Sequence, residues 1–125
     1  MLKKRIESFK YAIKGIQTLF KSEIHAKIHL IFTILVVFMA LYFQVSRLEW
    51  MFIILSIAFV FSAEAFNTAL EQITNLVSPE HHPIAGKVKD LAAGAVLISA
   101  IGAAIIGLII FLPKLFPLSI GFIIS

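Results

Sequence analysis

Three long apolar blocks dominate the sequence and are separated by short polar segments. The centre of the first block, LIFTILVVFMALYF, carries no charge. Each block is close to the roughly 20 residues that a helix needs to cross a bilayer. Soluble domains spread their apolar residues around one core, whereas membrane proteins gather them in such blocks. The pattern therefore predicts three transmembrane helices, over residues 27–45, 49–75 and 91–112, with a loop at 76–90 between the last two.

The first 23 residues show a different pattern, in which apolar residues recur in steps of three and four. This spacing places them on one side of a helix and leaves most of the remaining surface to lysines. The apolar positions are Leu2, Ile6, Phe9, Ile13, Ile16 and Phe20, and the lysines are Lys3, Lys4, Lys10, Lys14 and Lys21. A helix of this kind typically lies in the membrane interface. The alternative is a soluble helix that packs against a hydrophobic core, but the rest of the chain provides little core for it to pack against.

Composition supports an all-α integral membrane protein that forms a single domain over residues 1–125. The chain has 125 residues, of which 60% are hydrophobic and 14% charged, and its mean hydropathy is +0.99. The net charge of +4 allows nucleic acid as a partner. The basic residues lie beside apolar blocks with few aromatic residues among them, so a membrane surface is the expected partner and nucleic acid is not.

Two further absences narrow the possible chemistry and processing. The sequence contains no cysteine, which excludes disulfides, thiolate metal sites and cysteine nucleophiles. The basic start is not followed by a short apolar region with a small-residue cleavage site, so we expect no cleaved signal peptide.

Basic residues are distributed unevenly between the two sides of the predicted membrane domain. Lysine and arginine residues are concentrated before the first and third spans, and two lie on the opposite side, Arg47 and Lys114. By the positive-inside rule, the N-terminus and the loop at 76–90 are cytoplasmic.

A row of polar residues near the end of the second span is the first candidate for chemistry. Glu64, Asn67, Thr68 and Glu71 follow the spacing i, i+3, i+4 and i+7, which places them on one helical face. A carboxylate inside the membrane costs roughly 2.5 to 3.5 kcal/mol on insertion scales and needs a partner or a function. Glu71 could bind a divalent cation, and a desolvated Glu64 could act as general base. A polar seam between packed helices is the structural alternative.

Other polar residues lie near the same cytoplasmic boundary. Glu23, just before the first span, could supply a second carboxylate to the same metal. His25 and His29 share a helical face but lack a third ligand, so they make a weak case for zinc. Lys89 precedes the third span and could contact a phosphate, while Asp90 could simply cap that helix. The sequence contains no P-loop, GxGxxG or protein-kinase loop, so an ATP site here would be of an unusual kind.

The segment from Ala63 to Val96, AEAFNTALEQITNLVSPEHHPIAGKVKDLAAGAV, resembles the signature of the small bacterial membrane lipid kinases, the diacylglycerol kinase and undecaprenol kinase family. The resemblance rests on E-x-x-N-T-A-x-E, then H-P, then K-D-x-x-A-G-A-V. It extends to the basic amphipathic start, the glutamate before the first span and the three spans. It implies a protein of a bacterial plasma membrane, built as a homotrimer of three-span subunits with a surface helix each, and active sites where subunits meet. A monomer with three membrane helices is also too thin to enclose such a site by itself.

The resemblance also implies roles for individual residues. Transferred position by position, it makes Glu64 the base toward the lipid hydroxyl with Asn67 as its neighbour, and Glu23 and Glu71 the ligands of the Mg²⁺ on ATP. The expected nucleotide-binding residues are Glu71, Asn75, Glu80, His82, Lys89 and Asp90, and the expected lipid-binding residues are Glu64 and Ala93. Where this chain has Asn75 the family commonly has aspartate, so metal affinity could be weaker.

The expected function is ATP-dependent phosphorylation of a membrane lipid alcohol. The HHP loop and the overall pattern look more similar to the undecaprenol branch than to the diacylglycerol branch, so undecaprenol is favoured and diacylglycerol is the alternative. An ion-coupled transport subunit or a non-catalytic membrane subunit would also contain an intramembrane glutamate or small helix-packing residues. The apolar tail from Phe116 to Ile124 has no assigned role.

Overall fold

The computed structural model describes residues 1–116, which form four helices. They are α1 (Leu2–Ser22), α2 (Ile24–Tyr42), α3 (Arg47–Val77) and α4 (Pro83–Leu115). The last three are long and apolar enough to cross a membrane, as predicted. At 1.5 Å per residue, the 19 residues of α2 extend about 28 Å, close to the thickness of the hydrocarbon core. The 31 residues of α3 and 33 of α4 extend about 46 and 50 Å, so both exceed it.

The turn between α2 and α3 is fixed by backbone and side-chain caps on both of its sides. After α2, Gln44 adopts a left-handed conformation with φ of 51°. Its N–H donates to the carbonyl of Leu41, and the Val45 N–H donates to that of Ala40, which is the Schellman pattern. Ser46 then caps α3: its hydroxyl accepts from the Glu49 N–H at 3.1 Å, and Glu49 Oε1 accepts from the Ser46 N–H at 2.9 Å.

The same end of the bundle contains the main apolar cluster, and we call it the closed end. The buried residues of this cluster are Ala40, Val45, Ile53, Ile110 and Phe111. Lys114 Nζ, in the last turn of α4, donates to Glu49 Oε2 at 2.8 Å across the cluster's edge. The start of α3 and the end of α4 are therefore joined by apolar contacts and by an ion pair.

Helix packing is dominated by the antiparallel pair α3 and α4, with α2 against α3 and the end of α1 against α2 and α3. The α1 contact is made by its last turn, where Leu19 is buried and the Phe20 and Phe61 rings lie 5.1 Å apart. The rest of α1 is exposed, including its apolar residues. Ile6 and Phe9, for example, are 50% and 71% exposed.

The third span differs from its predicted bounds at both ends. α4 begins at Pro83 instead of residue 91, because His82 acts as N-cap and Pro83 occupies the first turn, where its missing N–H costs nothing. Residues 83–90 are therefore helical, and Asp90 lies inside the helix instead of capping it. Pro113 does not end α4 either, since the helix continues to Leu115. Apart from Phe116, the apolar tail lies outside the described residues.

The glycines of α4 do not mediate close helix contacts inside the described chain. A Cβ placed on Gly94, Gly102 or Gly107 would meet no heavy atom within 4 Å among residues 1–116. These glycines therefore leave open space beside α4 within one subunit. The surface beside them is open to lipid or to another subunit.

Candidate functional site

The polar residues of α3 form a partly buried row, as their spacing predicts. Glu64 and Thr68 are 3% and 8% exposed, and Asn67 and Glu71 are half-buried. The Asn67 side-chain amide donates to Glu71 Oε1 at 3.2 Å, which links two successive turns of the helix. The row is therefore a connected set of oxygen-rich side chains on the face of α3 that points into the bundle.

Three buried polar atoms of this row lack a hydrogen-bond partner within residues 1–116. They are Glu64 Oε1, Asn67 Oδ1 and Thr68 Oγ1. Leaving such an atom unpaired costs about 1 to 3 kcal/mol each, more for a charged group. Folded proteins retain groups of this kind mainly where they have a function or where a bound molecule completes them. The unpartnered oxygens of Glu64 and Asn67 are hydrogen-bond acceptors, so they suit a ligand that donates a hydrogen bond, such as an alcohol.

One contact to this row was not predicted from the sequence. His29 Nε2 on α2 lies 3.2 Å from Glu64 Oε1, within the range of an ion pair. The two groups are within ion-pair distance but do not form a hydrogen bond, so Oε1 remains unpartnered. From the sequence alone, His29 is marked only as one half of a weak zinc pair with His25.

The predicted nucleotide-binding residues come together where α3 ends and α4 begins. A polar groove there is lined by ten residues, among them the predicted positions Asn75, Glu80, His82, Lys89 and Asp90. This groove forms because α4 begins at Pro83, before its predicted start. Lys89 and Asp90 therefore lie on a helix that faces the loop after Val77. His82 Nδ1 accepts from the Ile84 N–H at 3.1 Å, so its Nε2 is the ring nitrogen left for a ligand.

One predicted nucleotide-binding residue, Glu71, and the predicted lipid-binding residue Ala93 lie outside this groove. Glu71 lies one turn before Asn75 on α3, hydrogen-bonded to Asn67. Ala93 is exposed on α4. The α4 residues that share a groove with Asn67 are Ala92 and Ala95, so these two line the space beside the polar row.

Glu23 occupies the junction between the first two helices. It ends α1 and begins α2 in an extended conformation, and its side chain is half-buried. The described residues hold no group of three or more His, Asp or Glu side chains that could bind a metal by themselves. Mg²⁺ bound with a nucleotide needs only one or two protein carboxylates, because phosphates and waters supply its other ligands. Glu23 and Glu71 fit that donor set, whereas the zinc hypothesis for His25 and His29 gains no third ligand among residues 1–116.

Comparison with known proteins covers all of these positions. Residues 10–111 match the family described as prokaryotic diacylglycerol kinase. Undecaprenol kinase of Bacillus subtilis (strain 168) is 40% identical over 114 residues, which is 91% of this chain and 93% of that protein. Diacylglycerol kinase of Synechocystis sp. is 34% identical over 90% of this chain and 65% of that protein. Diacylglycerol kinase of Escherichia coli (strain K12) is 28% identical over 80% of this chain and 82% of that protein.

Proposed function

The chain belongs to the prokaryotic diacylglycerol kinase family and is a membrane lipid kinase that uses ATP, and we propose that it phosphorylates undecaprenol to undecaprenyl phosphate. The relative named undecaprenol kinase shares more identities, over more of this chain, than the relatives named diacylglycerol kinase. Diacylglycerol, giving phosphatidic acid, is the competing substrate. Membership of a kinase family disfavours the transport and non-catalytic alternatives.

The observation that carries this proposal is the buried polar row with its unpartnered oxygens. We propose that the lipid hydroxyl donates its hydrogen bond to Glu64, with Asn67 beside it. Glu64 then accepts the hydroxyl proton as the lipid oxygen forms its bond to the γ-phosphorus and the bond from that phosphorus to the β,γ-bridging oxygen breaks. The products are the lipid phosphate, ADP and a protonated Glu64, which returns its proton to solvent. A positioned base of this kind contributes about 10²- to 10⁴-fold to a rate.

The nucleotide is proposed to bind in the polar groove between α3 and α4. Lys89 would contact a phosphate there, with Asp90 as its neighbour, and Glu80 and His82 would border the nucleoside. In phosphoryl transfer the protein mainly positions the reactants and neutralises charge, so a half-buried lysine in a polar groove suits this role.

Glu23 and Glu71 are the proposed ligands for Mg²⁺. Bound with ATP, the ion would neutralise negative charge on the phosphates. Glu71 already accepts a hydrogen bond from Asn67, so the same amide that borders the base also orients a proposed metal ligand. Asn75, one turn further along α3, would be a neutral acceptor near the nucleotide.

The proposed membrane arrangement follows from the exposed apolar surface. Leu2, Ile13 and Ile16 on the apolar side of α1 are all more than half exposed, and we propose that this side lies in the membrane interface. The N-terminus and the loop between α3 and α4 would be cytoplasmic, where ATP is available. Large apolar side chains beside the site, such as Phe59 and Phe66, are about 70% exposed. Lipid and neighbouring subunits of a homotrimer are proposed to cover them, with the lipid substrate arriving laterally near Ala93.

The test is transfer of labelled γ-phosphate from Mg·ATP by purified protein in detergent, with undecaprenol and diacylglycerol compared at equal mole fraction. We expect faster transfer to undecaprenol, and loss of transfer in Glu64→Gln. Faster transfer to diacylglycerol would overturn the substrate assignment alone. Full activity of Glu64→Gln would overturn the role of the base.

A further inference from the structure

His29 approaches the proposed base from a different helix. Its Nε2 is 3.2 Å from Glu64 Oε1, while the ring is one quarter exposed and the carboxylate is almost fully buried. Glu64 belongs to α3 and His29 to α2, so the contact joins two helices at this level. Within the described chain no hydrogen bond reaches this oxygen of Glu64.

His29 can supply a ring N–H donor to Glu64. It also lines a largely apolar cavity between α2, α3 and α4, together with Phe32, Val36 and Val60. A neutral imidazole has one N–H donor and one acceptor nitrogen. A donor at Nε2 is what the carboxylate requires in order to be held in one rotamer without losing its negative charge.

We propose that His29 is a positioning residue for Glu64, whose imidazole holds the carboxylate in the orientation that receives the lipid hydroxyl. This inference rests on the proposed role of Glu64 as base. A base must lie within hydrogen-bond reach of the proton it abstracts, and a displacement of about 1 Å can cost about 100-fold in rate. His29 touches neither nucleotide nor lipid in this scheme and acts only through the carboxylate.

The decisive variants are His29→Leu, which removes the donor, and His29→Gln, which keeps a neutral N–H donor of similar reach. We expect His29→Leu to lower kcat by about 10- to 100-fold, with the KM values for Mg·ATP and undecaprenol changed by less than about twofold. His29→Gln should recover most of the lost kcat. The matched control is His25→Leu, an exposed histidine one turn earlier on the same helix, which should leave kcat unchanged.

A second measurement does not depend on the leucine variant folding. In protein labelled with ¹⁵N-histidine, the ring signal of His29 is identified by its loss in His29→Gln, and we expect it to shift in Glu64→Gln. If the chemical shift of the His29 ring is the same in Glu64→Gln as in wild type, the proposed contact between the two side chains is wrong. Normal kcat in folded His29→Leu would overturn the positioning role, and loss in both His29 variants with a raised KM for either substrate would mean direct binding instead. If Glu64→Gln is itself fully active, the proposed role of Glu64 as base fails whatever the His29 variants do.

Discussion

Two carboxylates of α3, Glu49 and Glu64, have opposite surroundings in the fold. Glu49, at the closed end, is 26% exposed and uses both oxygens: Oε1 accepts from the Ser46 N–H and Oε2 from Lys114. Glu64 is 3% exposed, and its Oε1 has only the unaligned His29 ring near it in the described chain. The less buried carboxylate is thus the better satisfied one. Glu49 stabilises the fold. Glu64 lowers the stability of the fold, because it is buried without a hydrogen bond to Oε1, and its proposed catalytic role explains why such a residue is present.

The comparison predicts opposite results for the same substitution at the two positions. Glu64→Gln should lower phosphate transfer by about 10²- to 10⁴-fold, with an unchanged or higher free energy of unfolding, because a neutral amide is cheaper to bury than a carboxylate. Glu49→Gln should lower the free energy of unfolding by about 0.5 to 2 kcal/mol and leave kcat unchanged. Transfer assays and unfolding by SDS titration in mixed micelles measure the two quantities. A Glu64→Gln protein that transfers phosphate normally but unfolds more readily would reverse the assignment.

Two lysines at the start of α4 sharpen the assignment of the nucleotide groove. Lys89 is half-buried in the groove, whereas Lys87 is exposed and lines a different surface. A hydrogen bond to a charged group is worth about 1.5 to 3 kcal/mol, so Lys89→Gln should raise the KM for ATP by about 10- to 100-fold. Lys87→Gln is the control and should change it far less. Equal effects of the two substitutions would mean that the lysines act only through their general charge.

The cap at the closed end should affect stability alone. Ser46→Ala removes the hydroxyl that accepts from the Glu49 N–H and should lower the free energy of unfolding by about 1 kcal/mol, with kcat unchanged. Ser8→Ala, on the exposed part of α1, is the matched serine control and should change neither. A clear fall in kcat for Ser46→Ala would show that the closed end transmits strain to the site.

The smallest effect is expected from restoring the acid that the family commonly has in the groove. Asn75→Asp adds a negative charge where Mg²⁺ and ATP are proposed to bind. Exposed charge interactions are worth about 0.2 to 1 kcal/mol, so the Mg²⁺ concentration at half-maximal rate should fall by less than about fivefold. The measurement is a Mg²⁺ titration at fixed ATP, compared with wild type. A rise in the required Mg²⁺ would indicate that Asn75 faces phosphate instead of metal.

The helices themselves could be predicted because their signals are local. Apolar blocks and a spacing of three and four residues gave all four helices, and the polar row of α3 followed from periodicity alone. The start of α4 was missed because the segment from Pro83 to Asp90 is polar, and its signal is the pair His82 and Pro83, an N-cap followed by a proline in the first turn. The S-x-x-E capping box at Ser46 is likewise a local signal, and it marks the start of α3.

The contact between His29 and Glu64 could not be predicted in the same way. It depends on the rotation and vertical position of α2 against α3, which the apolar faces of two lipid-exposed helices specify only loosely. The sequence does single out His29, because it is a polar residue within the first turns of an apolar span. It does not predict that Glu64 is the residue that His29 contacts. The grouping of Asn75, Glu80 and Lys89 followed from the resemblance, and the fold explains it by the early start of α4.

The junction at Glu23 has a mechanical consequence. Helical geometry stops at Ser22 and resumes at Ile24, so the direction of α1 is set by the two backbone torsions of this one residue and by the last-turn contacts of Leu19 and Phe20. The 21 residues of α1 extend about 31 Å, and a rotation of about 10° at the junction would move its far end by roughly 5 Å. The same rotation turns the Glu23 side chain. Tilting α1 on a thinner, thicker or more anionic bilayer would therefore re-aim a proposed metal ligand, and the affinity of that proposed site for Mg²⁺ would then depend on the lipid composition of the membrane.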